Sequence, residues 1–175
     1  MITEPLTLYK LMILYLLRSV NYPLTNNQLS GFFLDYEYTT YFTLQQCISE
    51  LVEARLINAH STKNVTRYEI TKEGGDTLEF FQADITPGAI EDMKRFLKEN
   101  KLRLRAESST YTDYYEADDG NYIVHTEVRE ENQLLFGLEL SAPDLDTAEL
   151  MCSKWAEKNA AIYGYIIRQL LGSDH

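Results

Sequence analysis

The chain has 175 residues and a hydrophobic fraction of 45%, which is enough to form the core of one domain or of two small ones. Its formal net charge of −11 repels phosphate backbones rather than attracting them. The longest apolar run, Leu11 to Leu17, is far shorter than the roughly 20 residues of a membrane span, and no signal-peptide pattern precedes it, so we expect a cytoplasmic protein with no membrane partner.

The first two helices are indicated by apolar spacing and by a helix cap. Apolar residues at positions 6, 9, 13, 16, 17 and 20 predict a helix from Leu6 to Val20, and further apolar residues widen its face. Such a helix either lies at the centre of a small domain or also meets a second subunit. After a break at residues 21–23, Thr25 and Gln28 predict a capping box that starts a second helix from Asn26 to about Leu34.

The third predicted helix begins near Thr39 or Thr40, after a loop at residues 35–38. Its apolar residues have helical spacing, which leaves its polar residues mostly outward. The inward residues are Leu44, Cys47, Ile48 and Leu51, and the outward ones are Thr43, Gln46, Ser49 and Glu50. Two helices joined by a short turn form a helix-turn-helix. Cys47 and the distant Cys152 both fall in helical patterns, which favours buried free thiols over a disulfide.

A polar hairpin follows the third helix. Residues 56–60 and 67–71 have the pattern of paired strands, and the loop at residues 61–66 between them is rich in turn formers. The segment from Arg55 to Lys72 holds four basic residues against Glu69 alone, whereas residues 1–82 as a whole carry a net charge of −3. Thr71 is placed to cap a fourth helix that returns to the core, and Gly74-Gly75 allow close packing of its first turn.

A second domain is predicted after a linker at residues 82–85. Pro87 begins a helix that runs to about Asn100, and three antiparallel strands follow at about 104–116, 121–130 and 133–141. The last helix, about 146–171, carries two neighbouring apolar stripes. Together they are broader than one small sheet needs, which suggests dimerisation and would match the two-fold symmetry of most operator sites.

No pattern in the chain indicates catalysis. His60, His125 and His175 are far apart in sequence, and the chain lacks the spaced ligands of a metal site and the GxSxG pattern of a nucleophile elbow. The Gly74-Gly75 pair has no following Lys-Ser/Thr, so no nucleotide cofactor is implied. We therefore expect no enzyme activity, no cofactor and no metal.

Two charged segments and a group of tyrosines have more than one interpretation. The acidic hairpin at residues 113–119 is either a solvated turn or a cation site, and the first is favoured because no EF-hand spacing is present. The segment from Lys94 to Arg105 has a net charge of +5; it either neutralises the acidic hairpin, within or between subunits, or forms a second phosphate-contacting patch that flanks the winged helix. Tyrosines 111, 114, 115 and 122 are half-buried strand residues, or they line an effector or partner surface.

The segment from Leu51 through Tyr68-Glu69-Ile70-Thr71-Lys72-Glu73-Gly74 to Leu78 resembles bacterial winged-helix regulators of the kind typified by PadR and MarR proteins. The whole chain is most similar to a bacterial family catalogued as domain of unknown function 4364, whose members are presumed transcriptional regulators. The resemblance implies DNA as the partner. One departure is that PadR-type relatives often carry a basic residue where this chain has Gln46, and no Lys or Arg occurs from Gly31 to Ala54.

Together these patterns predict an α+β protein with a winged helix-turn-helix domain at residues 1–82 and a dimerisation or sensing domain at residues 86–172. The expected function is that of a homodimeric transcriptional regulator that binds double-stranded DNA, and a small-molecule or protein effector of the second domain is left open. Base-reading residues on the third helix are expected to be Thr39, Thr40, Tyr41, Thr43, Gln45 and Gln46. Phosphate contacts are expected from Arg55, Lys63 and Arg67. The alternative is a winged helix that binds protein and not DNA.

Overall fold

The computed structural model describes residues 4–61, 65–130 and 133–172. Within these residues the chain forms seven α-helices and two antiparallel three-stranded sheets, which confirms the α+β class. The described residues divide into two compact units, 4–61 with 65–105 and 106–130 with 133–172. The elements of the first unit are α1 (Pro5–Arg18), β1 (Leu24–Thr25), α2 (Asn26–Asp35), α3 (Tyr41–Glu53), β2 (Ile57–Ser61), β3 (Thr66–Ile70), α4 (Lys72–Phe81), a short 3-10 helix (Gln82–Asp84) and α5 (Pro87–Glu99). Helix α6 (Lys101–Ser109) crosses into the second unit, which contains β4 (Thr110–Glu116), β5 (Tyr122–Glu130), β6 (Gln133–Ala142) and α7 (Leu145–Leu171).

Helix α1 is the central helix of the first unit. Six of its side chains are buried: Leu11, Met12, Ile13, Leu14, Leu16 and Leu17. The helix packs against α3, α4, α5 and β3, so elements of its own chain cover the wide apolar face. Burying one leucine contributes about 1.5–3 kcal/mol, and this helix therefore supplies a large share of the hydrophobic stabilisation of the unit.

Helix α2 begins with a capping box, and both α2 and α3 end in a turn that satisfies their last carbonyl groups. The predicted capping box of α2 is confirmed, because Thr25 Oγ1 accepts a hydrogen bond from Gln28 N at 3.1 Å and Gln28 Oε1 accepts one from Thr25 N at 2.9 Å. At their C-termini both helices turn through a residue with positive φ, Glu37 (57°) after α2 and Arg55 (60°) after α3. Leu56 N then donates to Leu51 O at 3.0 Å, which is the Schellman arrangement that satisfies the last carbonyls of a helix.

The first sheet has the strand order β1-β3-β2, with all pairs antiparallel. Arg67 in the central strand lies opposite Thr25 on one side and His60 on the other. The two-residue strand β1 is not indicated by the sequence pattern, because Leu24 and Thr25 already read as the start of α2. It matters for the fold because it joins the beginning of α2 directly to the hairpin.

Close packing at the start of α4 requires a glycine at position 74. Thr71 caps this helix by accepting a hydrogen bond from Gly74 N at 3.0 Å, and Thr71 N donates to Leu56 O at 3.0 Å. A Cβ atom on Gly74 would lie 2.0 Å from Leu56 O, whereas one on Gly75 would meet only the end of the Arg18 side chain at 3.1 Å. The predicted role in packing therefore belongs to Gly74 and not to Gly75.

Helix α5 belongs to the first unit, whereas the sequence pattern predicts a domain boundary at residues 82–86. The Phe96 ring packs against Phe32 with a centroid distance of 5.2 Å, and Tyr38 Oη donates to Asp92 Oδ2 at 2.5 Å. Burial, together with this bond to Asp92, raises the pKa of Tyr38. The inner stripe of α5 thus covers aromatic side chains of α2 and the following loop, and the compact unit continues to Arg105.

The second unit is a sheet of order β4-β5-β6 that packs against α7 on one face. Its core is small: Val124, Ala142 and Ala148 form one buried cluster, and Trp155 stacks on Phe136 at 6.2 Å. In the described parts of the chain, no helix combines the length and the apolar content that crossing a membrane requires.

The prediction of a strand from about residue 104 is wrong. Residues 101–109 form α6, and β4 begins only at Thr110. Leu102 and Leu104 alternate with arginines, which imitates a strand pattern, but Leu, Arg, Ala and Glu are all strong helix formers. Only Leu104 faces the core, and Leu102 is exposed.

Candidate nucleic-acid interface

The candidate interface is built around the first turns of α3. Thr40 is the N-cap residue: its Oγ1 accepts a hydrogen bond from Thr43 N at 3.3 Å and donates one to Thr43 Oγ1 at 3.1 Å. The next two residues project aromatic rings outward, since Tyr41 is 47% exposed and Phe42 is 86% exposed. Thr39 is half-buried beside them. The hydroxyls of Thr40 and Thr43 thus first serve to start the helix, and the rings form its outer surface.

Asn26 at the start of α2 links this surface to the sheet. Gln45 Nε2 donates to Asn26 Oδ1 at 3.0 Å, and Asn26 Nδ2 donates to the Tyr41 hydroxyl at 3.5 Å. The neighbouring Thr25 lies opposite Arg67 in the sheet. The structure therefore brings Tyr41, Gln45 and the strand that carries Arg67 into one neighbourhood, where the half-buried Gln45 is tied to Asn26 by its hydrogen bond.

Gln46 occupies an exposed place farther along α3. Its Nε2 donates to Glu50 Oε1 at 3.0 Å, and Glu50 also forms an ion pair with Lys10 of α1. The hydrogen bonds from Lys10 and Gln46 lower the pKa of the Glu50 carboxyl. Lys10 thus offsets the acidic side chain nearest to Gln46, although α3 itself has no basic residue.

The expected phosphate-contacting residues lie in different places. Exposed Arg55 follows the C-terminus of α3, about 18 Å along the helix from Thr43. Arg67 is half-buried in the middle strand of the first sheet, where its neighbour Glu69 lies 3.5 Å from the His60 ring. Lys63 falls outside the described residues. Arg55 is therefore separate from the aromatic end of α3, while Arg67 is close to it.

Two residues of this surface are absent from the predicted set. Phe42 was available from the sequence, because it lies one helical turn before Gln46 on the outward side of α3. Asn26 carried no comparable signal, since its role depends on the packing of α2 against α3. Both side chains reach the region that Tyr41 and Gln45 occupy.

The charge of the chain is divided unequally between the two units. Residues 1–61 and 65–105 contain eleven basic and thirteen acidic residues, a net charge of −2, and residues 106–175 carry −10; Lys63, outside the described residues, accounts for the remaining +1. The division matters because α5 and the start of α6 bring their basic residues into the first unit. The body that carries α3 is therefore close to neutral, and the acidity belongs to the other unit.

The other predicted chemistry is accounted for by local structure. In the acidic hairpin Asp119 accepts hydrogen bonds from Asn121 N and Nδ2, both at 3.0 Å, and the backbone bond is the first cause of its lowered pKa. No group of three or more His, Cys, Asp or Glu within the described ranges has an arrangement that could hold a metal ion. Cys47 and Cys152 are free, and burial raises the pKa of the Cys47 thiol.

These features define an α+β protein with an exposed, aromatic and amide-bearing helix beside a small antiparallel sheet. A family model described as Domain of unknown function (DUF4364) matches residues 9–170, and the chain belongs to this family. Neither the curated proteins nor the solved structures include a match to the chain.

Proposed function

We propose that the protein is a DNA-binding transcriptional regulator that uses a winged helix-turn-helix and acts as a homodimer. The observation that carries the proposal is the arrangement of residues 5–81. Helices α2 and α3 are joined by a tight turn, an antiparallel hairpin follows α3, and the outward face of α3 is exposed. This order of elements supports a winged helix, a motif in which the second helix of the pair enters the major groove.

In this proposal α3 supplies sequence reading through hydrogen bonds and apolar contacts. The Gln46 amide can pair with both adenine edge groups in the major groove, and Phe42 can contact the methyl group of thymine. Tyr41 and the Thr40 and Thr43 hydroxyls lie at the same end of the helix. Arg67 of β3, Arg55 after the C-terminus of α3 and Lys63, which lies outside the described residues, would contact phosphates and fix the register without reading sequence.

The homodimer is supported by the uncovered apolar surface of α7. Only Ala148 and Trp155 of its 27 residues are buried, whereas Leu170 is 75% and Leu171 is 80% exposed. The last turns contain only Arg168 as a charged residue. Such a neutral apolar surface allows two copies of a strongly acidic unit to associate without bringing their acidic groups together.

DNA binding is tested by replacing Lys63 and Arg67. Replacing Lys63 and Arg67 together by alanine should weaken binding to all duplex sequences by a similar factor. It should also make the plot of log K against log salt less steep, by about one unit for each cation that touches a phosphate. Lys154→Ala/Lys158→Ala, which removes two exposed cations from α7, is the matched control. Absence of DNA binding by the wild-type protein at low salt would refute the proposal.

The dimer is tested by sedimentation of the full chain. Leu170→Glu/Leu171→Glu should shift the protein from dimer to monomer, because it places charge on the apolar surface of each copy. Gln169→Glu adds charge at an exposed polar neighbour and should leave the dimer intact. A wild-type protein that is monomeric at micromolar concentration would contradict the homodimer.

The second candidate is a winged helix that binds a protein partner. The observation that favours it is the 86% exposure of Phe42 on a helix without Lys or Arg, since aromatic residues are enriched at the centres of protein interfaces. The two functions differ in their response to salt. DNA binding through phosphates weakens steeply as salt rises, whereas binding through Phe42 and Tyr41 would be nearly insensitive to it.

A further inference from the structure

The strongest basic segment of the chain lies on the same compact unit as α3. Six cationic residues occur between positions 94 and 105, and all are exposed: Lys94, Arg95, Lys98, Lys101, Arg103 and Arg105. Glu99 is the only acidic residue among them, so the segment carries a net charge of +5. We call it the α5–α6 basic surface.

The helix pair presents this charge on the side opposite its buried apolar residues, and the exposed Leu102 lies between Lys101 and Arg103. Met93, Phe96 and Leu104 are buried, which leaves Lys94 and Lys98 one turn apart on the outer side of α5. Lys101 and Arg105 have the same spacing on α6. Asn100 joins the helices, accepting a bond from Leu104 N at 2.8 Å and donating one to Phe96 O at 3.0 Å. The cations therefore lie within about 20 Å of one another.

The position of this surface relative to the helix-turn-helix is held by buried contacts. Phe96 packs on Phe32 of α2, and its ring is also edge-on to Tyr36 at 6.3 Å. Asp92, on the same helix, accepts the hydrogen bond from Tyr38 in the loop that leads to α3. These contacts fix the position of α5 relative to α2 and to the loop that precedes α3.

Three of the lysines are not neutralised by the fold. Arg95 lies near Glu91 and Asp92, at 3.9 and 3.7 Å, and Arg103 donates to Asn100 Oδ1. Across the described part of the chain Lys94, Lys98 and Lys101 form no ion pair. Ion pairs within the described part of the chain therefore leave these three charges uncompensated, and a DNA strand, which carries about six phosphates over 20 Å, is a ligand that would compensate them.

We propose that the α5–α6 basic surface binds the phosphate backbone of double-stranded DNA beside the site that α3 reads. This inference rests on the proposed function and extends it by a second, sequence-independent contact surface. It also gives a reason why a chain with a charge of −11 binds DNA, since a nearly neutral unit presents three unpaired lysines together while most of the acidic charge belongs to the other unit.

The test uses the full-length chain and a random-sequence duplex. Lys94→Gln/Lys98→Gln/Lys101→Gln removes three charges, and Lys154→Gln/Lys158→Gln, which removes two exposed charges from α7 before the last turns assigned to the dimer, is the control. If Lys94, Lys98 and Lys101 each contact a phosphate, the plot of log K against log salt is less steep for their triple variant by about 2.7 units. Between about 50 and 200 mM salt the wild-type protein then loses about 40-fold more affinity than the variant, whereas the control behaves as wild type.

Direct contact is separated from a general charge effect by lysine labelling. Amine acetylation is measured with and without the duplex, and Lys94, Lys98 and Lys101 are expected to be protected at least several-fold more than Lys154 and Lys158. Equal protection of both groups, or a salt dependence of the triple variant equal to that of the Lys154→Gln/Lys158→Gln control, would overturn the inference while leaving DNA binding intact. Protection by anionic vesicles and not by DNA would also overturn it.

The outcomes also distinguish this inference from the proposed function. If the wild-type protein does not bind the duplex at low salt, both the proposed function and this inference are refuted. Binding that is abolished in Lys63→Ala/Arg67→Ala but unchanged in Lys94→Gln/Lys98→Gln/Lys101→Gln keeps the winged-helix contact and removes the second surface. Circular dichroism of each variant checks that the fold is retained.

Discussion

Gly74→Ala should destabilise the first unit strongly, although alanine normally favours a helix. The new Cβ would lie 2.0 Å from Leu56 O, more than 1 Å inside the usual carbon–oxygen contact of about 3.3 Å, so α4 must move away from Leu56. That movement breaks the bonds of Thr71 N and Oγ1 to Leu56 O, each at 3.0 Å. Two such bonds contribute about 0.5–1.5 kcal/mol each and the helix cap about 1 kcal/mol, against about 1 kcal/mol gained from alanine.

With the residual steric strain included, the expected loss of unfolding free energy is about 2–4 kcal/mol, or roughly 5–10 °C in Tm for a chain of this size. Gly75→Ala is the control, because its Cβ meets only the movable end of Arg18 and should leave stability unchanged or raise it by up to about 1 kcal/mol. Urea unfolding followed by far-UV circular dichroism measures both, since the single tryptophan, Trp155, reports on the other unit. Equal stability of the two variants would refute the packing argument.

Three further results are expected. Arg55→Gly should raise the free energy of unfolding by about 0.5–1 kcal/mol, because glycine adopts the positive φ without strain, and should weaken DNA binding. Glu37→Gly should also stabilise the fold but leave DNA binding unchanged. Equal effects of the two variants on DNA binding would contradict a phosphate contact by Arg55. Glu127 is held against its burial by hydrogen bonds from Arg129 and His125, which leave its pKa below the usual 4.5. The charged Glu127 therefore stabilises the folded state at any pH above the usual pKa, and this stabilisation is lost as the pH falls through the lowered pKa. The urea midpoints of wild type and Glu127→Gln should converge in acid. A difference in midpoint that stays constant with pH would argue against this role of Glu127.

Local signals predicted the elements of the first unit well. The Thr25–Gln28 capping box, the inward residues of α3 and the hairpin after it all depend on short-range chemistry that a sequence shows directly. The Schellman turns were harder to foresee, because Glu37 and Arg55 occupy positions where glycine or asparagine would be the usual signal.

Long-range packing decided what the sequence could not show. The boundary predicted after residue 82 depended on a short polar linker, but Phe96 finds its partners among aromatic side chains more than fifty positions earlier. Because of this packing, the basic residues of α5 belong to the unit that contains α3 and not to the predicted second domain. Asn26 likewise gains its role only through α3, since its partners Tyr41 and Gln45 lie on another helix.

Selection of bound duplexes from a random DNA pool at low salt tests DNA reading by α3 most directly. The wild-type chain should enrich a two-fold symmetric motif with half-sites about 10 base pairs apart, or a multiple of that spacing. The Gln46→Ala variant should enrich a different motif or no motif, but its binding should still depend on salt, because the residues proposed to contact phosphates are unchanged. No enrichment by the wild-type chain, or the same motif from Gln46→Ala and Phe42→Ala alike, would contradict DNA reading by this helix.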